Sequence, residues 1–377
     1  MFGSRWRLFR IFGIPFYLDI SWLVILALLT ITMANTFSAE IPGLARINYW
    51  VMGFVAAIAF FVCILLHEMG HALVARSNGM PVKGITLFMF GGVAELGGEP
   101  ASARSEFFMA IAGPCVSVVL ALGFWLTSIL GRQAGWSAPL VSILEYLALI
   151  NVVVLMFNMV PAFPLDGGRV FRSILWGATG NLRRSTYWAS LFGQMFAWFL
   201  IAMGVIEFFR GHLWNGVWIG LIGWFLRHAA QGSYQEVLIR QALQGEKVRV
   251  FMNPEPVVVP PDLDLEHWVE DYVYRYHRKS FPVTANGHLE GLVTTRDLAK
   301  YPRDEWRRHT VSELMHTDLN AVSVAPDTEA LDALKKMERT GSSRLLVAEG
   351  NHLVGIVSLK DLMRLLKLKL GFESETE

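Results

Sequence analysis

Two histidines four residues apart, His67 and His71, enclose a glutamate, Glu68, at the end of the apolar run 60–66. On a helix, positions i and i+4 share one face, so the two imidazoles can hold one metal ion together. The carboxylate beside them is placed to take a proton from a metal-bound water. The chemistry this spacing offers is zinc-assisted hydrolysis. A solvated helix could carry the same pentapeptide by chance, but residues 52–66 contain no charged side chain. A buried imidazole pair without a partner would leave polar atoms unsatisfied. An ionisable cluster at membrane depth is costly and marks a functional site by default.

The elements that must position this cluster are membrane helices. The 377 residues are 53% hydrophobic and include 13 Trp and 25 Phe, which excludes a wholly soluble protein. Residues 1–230 carry 9 acidic and 14 basic side chains, whereas residues 231–377 carry 23 and 19. The first part is membrane-like and the second reads as a soluble module. Nothing in this balance asks for a nucleic-acid partner. Six apolar stretches fit the length of a spanning helix: 16–34, 49–75, 105–130, 138–161, 186–209 and a short one at 213–228. Arg5, Arg7 and Arg10 precede the first without a small-residue cleavage site, so no removable signal is expected. Those three, then Arg76, Lys83 and Arg104, then Arg169, Arg172, Arg183 and Arg184, fall on one side of the bilayer. The positive-inside rule puts that side, and both termini, in the cytoplasm of a multi-pass cell-membrane protein. The two cysteines, Cys63 and Cys115, lie in apolar stretches and read as small buried hydrophobes without a disulfide.

This orientation brings a third ligand into view. The second and fourth spans run the same way, so the segment from Asn158 to Asp166-Gly167-Gly168 ends at the depth of the histidines. Catalytic zinc usually has three protein ligands and one open position, and Asp166 is the natural third. Taken alone, Asp-Gly-Gly reads equally as a turn; the matching depth favours the ligand. Gly113-Pro114 should loosen the third span, and Gly216 with Gly220 should allow close helix packing. Neither pair is expected to take part in chemistry, and His212, His228 and His316 lack metal spacing.

His67-Glu68-Met69-Gly70-His71 on an early membrane helix, with Asn158-x-x-Pro161-x-x-Pro164-Leu165-Asp166-Gly167 later, resembles the site-2 protease family of intramembrane metalloproteases. The resemblance covers residues 1–230. It implies that His67, His71 and Asp166 bind one zinc ion, that Glu68 is the general base, and that Asn158 points at the active site. Asn158 would then help to stabilise charge on the substrate carbonyl; its other reading is an interhelical hydrogen bond or a cap before Pro161. The resemblance further implies a re-entrant hairpin at 84–96, whose open edge could take up an unwound substrate by strand addition. A loop packed over the site is the competing expectation. The implied substrate is a membrane protein with a transmembrane helix, cleaved within the lipid bilayer in regulated intramembrane proteolysis.

Beyond residue 245 the chain repeats itself. Gly287 to Leu298 matches Asn351 to Leu362 at an offset of 64 residues. Duplicated units of this length bury each other's apolar faces. Each half reads as strand, helix, two strands around a turn, then helix. The repeat resembles a tandem pair of CBS domains, which implies binding of ATP or another adenine nucleotide and a surface through which two copies of the chain can associate. By that resemblance, Thr294 and Asp297 in one half, and Ser358 and Asp361 in the other, face the ribose and phosphates. Helix capping explains the same residues without a ligand.

The expected architecture is thus a polytopic α-helical membrane domain followed by a soluble α/β module. Its parts are a membrane-embedded metalloprotease domain at 1–230, a connector at 231–245, CBS repeats at 246–306 and 307–370, and a tail at 371–377. The expected activity is that of a zinc endopeptidase modulated by the CBS pair. The alternative is a CBS-gated metal transporter or channel, which would have no use for Glu68 between two ligands.

Overall fold

The computed structural model describes residues 5–363; residues 364–377, with the end of the second repeat and the expected tail, lie outside them. Two compact units divide the chain, Met1–Gln235 and Glu236–Glu377.

The first unit opens with a hairpin, β1 (Arg5–Ile11) and β2 (Ile14–Asp19), followed by α1 (Trp22–Glu40), α2 (Arg46–Ser77), β3 (Val82–Phe88), β4 (Gly91–Leu96), α3 (Ala103–Gln133), α4 (Ala138–Asn158), α5 (Asp166–Thr179), α6 (Leu182–Phe209) and α7 (Leu213–Leu243). Five of these helices, α1, α2, α3, α4 and α6, are long and apolar enough to cross a membrane. They correspond to the first five expected spans. The first starts at Trp22 instead of residue 16, because Ile14–Asp19 is a strand. Ile14, Phe16 and Leu18 alternate into the core, the period-2 pattern of a half-buried strand. Phe12 (φ 49) and Gly13 (φ 80) form the two-residue turn, both with the positive φ that a tight hairpin demands. The expected sixth span is helical as part of α7 but is not among the five.

β2 pairs in parallel with β3, and β3 antiparallel with β4, giving a four-stranded sheet in the order β1-β2-β3-β4 with β4 at one edge. The segment 84–96 is therefore a hairpin. Ile14, Phe16 and Ile85 of the sheet pack on Met69 and Ala72 of α2, so the sheet lies against the turn of α2 that carries the histidines. Gly204 of α6 and Gly216 of α7 are in backbone contact, where a Cβ on Gly204 would come within 2.7 Å of the Gly216 carbonyl, the close packing expected there. Cys63 is buried, but Cys115 is exposed on the outer surface of α3, which corrects the expectation of two buried thiols. The boundary between the units falls inside α7.

The second unit contains α8 (Val248–Phe251), α9 (Leu265–His267) running into a π-helical turn at Trp268–Tyr274, β5 (Ser280–Ala285), β6 (His288–Thr294), α10 (Val311–Leu314), β7 (Ser323–Val324), α11 (Ala330–Thr340), β8 (Arg344–Glu349) and β9 (His352–Ser358). The five strands form one sheet, β5-β6-β9-β8-β7. The repeat survives in detail. Ser280 pairs with Thr294 and Arg344 with Ser358, and both hairpins shift register at the same point, after Val283 and after Val347. The helix preceding each hairpin ends on a left-handed residue, His277 (φ 51) or Gly341 (φ 65). The halves are not identical. The leading strand of the first is reduced to a bridge between Val259 and Val283, and its last helix to a 3-10 turn, Asp297–Lys300. The leading helices are also exchanged between the cores. Val248 and Phe251 of α8 pack with Met337, Leu345 and Val357, while Val311 and Leu314 of α10 pack with Trp268, Phe281 and Val293. Each half thereby completes the other's core.

Candidate metal centre

His67 and His71 project from one face of α2, both buried, and Asp166 is the first residue of α5. The two Nε2 atoms lie 3.2 Å apart. One Asp166 oxygen is 3.0 Å from His67 Nε2 and the other 3.2 Å from His71 Nε2. Among the described residues, these three form the one group of histidine, cysteine and carboxylate side chains able to hold a metal ion.

The far side of each ring is fixed by α3. His71 Nδ1 is 2.7 Å from the Met109 carbonyl, which can only accept, so Nδ1 carries a proton and Nε2 is the nitrogen left to bind a metal. His67 Nδ1 is 2.8 Å from Ser117 Oγ. The Nε2 atoms of both imidazoles and the Asp166 carboxylate thus face one another. Such a set needs positive charge at its centre. A tetrahedral ion with bonds of about 2.05 Å has ligands about 3.3 Å apart, close to the separations here. The donors, two imidazoles and a carboxylate, are those of catalytic zinc sites, and the outer hydrogen bonds are the kind that orient metal-binding histidines.

Close approach of the helices makes this geometry possible. A Cβ on Gly113 would lie 2.2 Å from His71 Nε2 and 2.6 Å from His67 Nε2. Gly113 therefore clears the space around both ligand atoms, a correction to its reading as a mere loosening of the third span. Gly70 lets α2 meet α3, where a Cβ would come within 2.9 Å of Val116. At the other ligand, Cβ atoms on Gly167 and Gly168 would reach the backbone of Met159 and Ala162 at 2.3 and 2.4 Å. The turn 159–165 folds directly onto the start of α5 and hands Asp166 to the histidines. Phe163 N donates to the Ala189 carbonyl of α6 at 3.3 Å, anchoring that turn.

Glu68 is half-buried on α2 and faces the edge strand: a Cβ on Gly92 of β4 would meet Glu68 Cγ at 2.6 Å. Asn158 is the half-buried last residue of α4. Sequence reasoning passed over Ser117 and Met109 and gave Gly113 only a packing role. Their signal is tertiary and appears only when α3 is laid against α2.

In the second unit the four singled-out residues pair locally. Thr294 Oγ1 and N donate to Asp297 Oδ2 at 2.7 and 3.2 Å, and Ser358 Oγ and N to Asp361 Oδ2 at 2.5 and 3.1 Å. Asp297 also receives His316 Nε2 at 3.0 Å, a role for His316 that its isolation in the sequence concealed. Burial pushes the Asp297 carboxyl up, but the hydrogen bonds from Thr294 and His316 outweigh it and hold the group below the usual aspartate range.

Residues 55–134 and 130–202 match peptidase family M50, and residues 248–304 and 311–368 match the CBS domain. A zinc metalloprotease of Methanocaldococcus jannaschii is 30% identical over 96% of this chain and 96% of its own length. The chain belongs to peptidase family M50. A Synechocystis protein named as a candidate zinc metalloprotease is 33% identical over 96% of this chain and 95% of its own. A solved site-2 protease from Methanocaldococcus jannaschii is similar over 61% of this chain and 94% of that one, with 27% identity and a TM-score of 0.40. As an M50 peptidase, the chain is a membrane zinc metalloprotease with a tandem CBS pair at its C-terminal end.

Proposed function

We propose that this peptidase cleaves transmembrane segments of substrate proteins at a zinc ion held by His67, His71 and Asp166, under control of the CBS pair. The observation that carries the reading is the convergence of two imidazole Nε2 atoms and a carboxylate at separations of 3.0–3.2 Å. When bound, zinc supplies Lewis acidity toward a water and a peptide carbonyl. Glu68 takes the water proton and returns it to the leaving amine as the C–N bond breaks. Asn158, eight residues before Asp166, is assigned the amide that stabilises charge on the carbonyl oxygen. Hydrogen bonds to Met109 and Ser117 on the far side of the rings orient both Nε2 atoms toward the metal.

A substrate helix must unwind before attack, because its peptide groups are satisfied internally. The free edge of β4, with Gly92 against Glu68, offers backbone partners for the unwound strand beside the base. In the second unit, Thr294, Asp297, Ser358 and Asp361 are assigned to ribose and phosphate contacts with an adenine nucleotide, and the same unit to pairing of two chains. The distribution of arginines supports cytoplasmic termini and a multi-pass protein of the cell membrane.

The test is cleavage of a single-span substrate by the purified full chain, with and without ATP, beside Glu68→Gln. The expected result is loss of cleavage by about 10²–10⁴-fold in Glu68→Gln, with zinc retained. A variant that cleaves at the wild-type rate removes Glu68 from the mechanism. No cleavage by the wild type, with metal flux altered in Glu68→Gln, would favour a transporter.

A further inference from the structure

Arg172 of α5 is 3% exposed and Glu106 of α3 is wholly buried. Arg172 Nε donates to Glu106 Oε1 at 2.6 Å, and Nη2 forms an ion pair with the same carboxylate. Nη2 also reaches Glu99 at 3.2 Å, Nη1 reaches Thr186 of α6 at 3.5 Å, and the guanidinium lies 5.0 Å above the Phe163 ring. A buried ion pair is a poor way to gain stability, since apolar groups of the same size often do as well or better. Its place in the fold points elsewhere.

The groups around Arg172 belong to the elements that build the metal centre. Glu106 stands in the first turn of α3, whose later turns bring Met109 and Ser117 to the two imidazoles. Glu99 lies in the connection from β4, the strand beside Glu68. Phe163 is in the turn that delivers Asp166, and Arg172 itself is six residues along the helix that Asp166 begins. The guanidinium is planar with donors in a rigid fork, so contacts at Nε, Nη1 and Nη2 together fix both the rotation and the height of α5 against α3. A lysine, with one flexible ammonium, cannot meet that set. The negative end of the pair sits at a helix N-terminus, where the dipole favours it. We infer that Arg172 and Glu106 are positioning residues that set Asp166 at ligating distance from His67 and His71. The inference rests on the metal reading above.

The experiment uses the full chain in detergent with Arg172→Lys, Glu106→Gln and the double apolar variant Arg172→Met with Glu106→Met. Zinc affinity by chelator competition, the absorption spectrum of the cobalt-loaded protein and thermal unfolding are recorded for each. The single variants should bind zinc about 10–100-fold more weakly and show a shifted cobalt band. The double variant should regain thermal stability without regaining zinc affinity or the wild-type cobalt spectrum. Zinc affinity and cobalt spectrum equal to wild type in the single variants, or regained together with stability in the double variant, would overturn the inference. Wild-type protein that takes up no zinc would overturn the metal centre itself, and the inference with it.

Discussion

Asp166 and Asp297 occupy similar places in the two units. Each follows a turn and begins a helical segment, α5 or the 3-10 turn Asp297–Lys300. Their partners differ in kind. Asp166 faces imidazole nitrogens 95 and 99 residues away, while Met109 and Ser117 engage the other side of each ring. Asp297 accepts hydrogen bonds from a hydroxyl and an N–H three residues away and from His316, and Asp361 repeats the local part. Groups of metal-ligating type gathered over long sequence distances suit a cation. Donors and acceptors matched within one turn require nothing further. The contrast separates a site that the fold is built around from one whose carboxylates are already satisfied by hydrogen bonds, and any nucleotide at the second site must compete with those bonds.

The strongest way to break the contrast is to fill the space around the ligands. In Gly113→Ala the new methyl would lie 2.2 Å from His71 Nε2, a distance that no Cβ contact tolerates. We expect loss of most bound zinc and at least a hundredfold loss of cleavage, measured by metal analysis and substrate turnover. Wild-type zinc content would mean that α2 and α3 are farther apart than described.

A smaller effect sharpens the first side of the comparison. Ser117→Ala removes the partner of His67 Nδ1 and leaves the ligand in place. Zinc affinity should fall by about 10–100-fold, measured by chelator competition. An unchanged affinity would show that the ring is held by packing alone.

The local nature of the second site explains how the sequence could be read. His67, Glu68 and His71 were legible because one helical period contains them. The 64-residue repeat was legible because β5–β6 and β8–β9 are hairpins with the same register. Asp166 needed a depth argument. Ser117 and Met109 escaped notice, and Gly113 was read only as loosening the third span, because their roles exist only across the α2–α3 contact. Residues 16–19 of β2 were absorbed into the first span, since an apolar run hides the alternation of Ile14, Phe16 and Leu18. The exchange of α8 and α10 between the two cores leaves no mark on local periodicity.

On the other side of the comparison, Asp297→Ala with Asp361→Ala should weaken adenine-nucleotide binding and flatten the ATP dependence of cleavage, with zinc content unchanged. The coupling at stake is about 1–3 kcal/mol, read as a fewfold change in cleavage rate with ATP. Equal nucleotide binding by wild type and variant would leave these aspartates with their local hydrogen bonds only.

The smallest effect concerns acid. The Asp297 carboxyl titrates below its ordinary value, so its ionised form stabilises the fold. That contribution is complete above the unfolded value of about 3.9 and is lost as pH falls through the lower folded value. Hydrogen exchange at residues 294–300 should accelerate below pH 4 in wild type and lose this step in Asp297→Asn. The same acid response in both would assign it to another group.

The most direct test is the zinc content of the purified full chain beside Asp166→Ala. The account predicts one zinc per wild-type chain and loss of most of it in Asp166→Ala, with the helical content unchanged. A full complement of zinc in Asp166→Ala would contradict it.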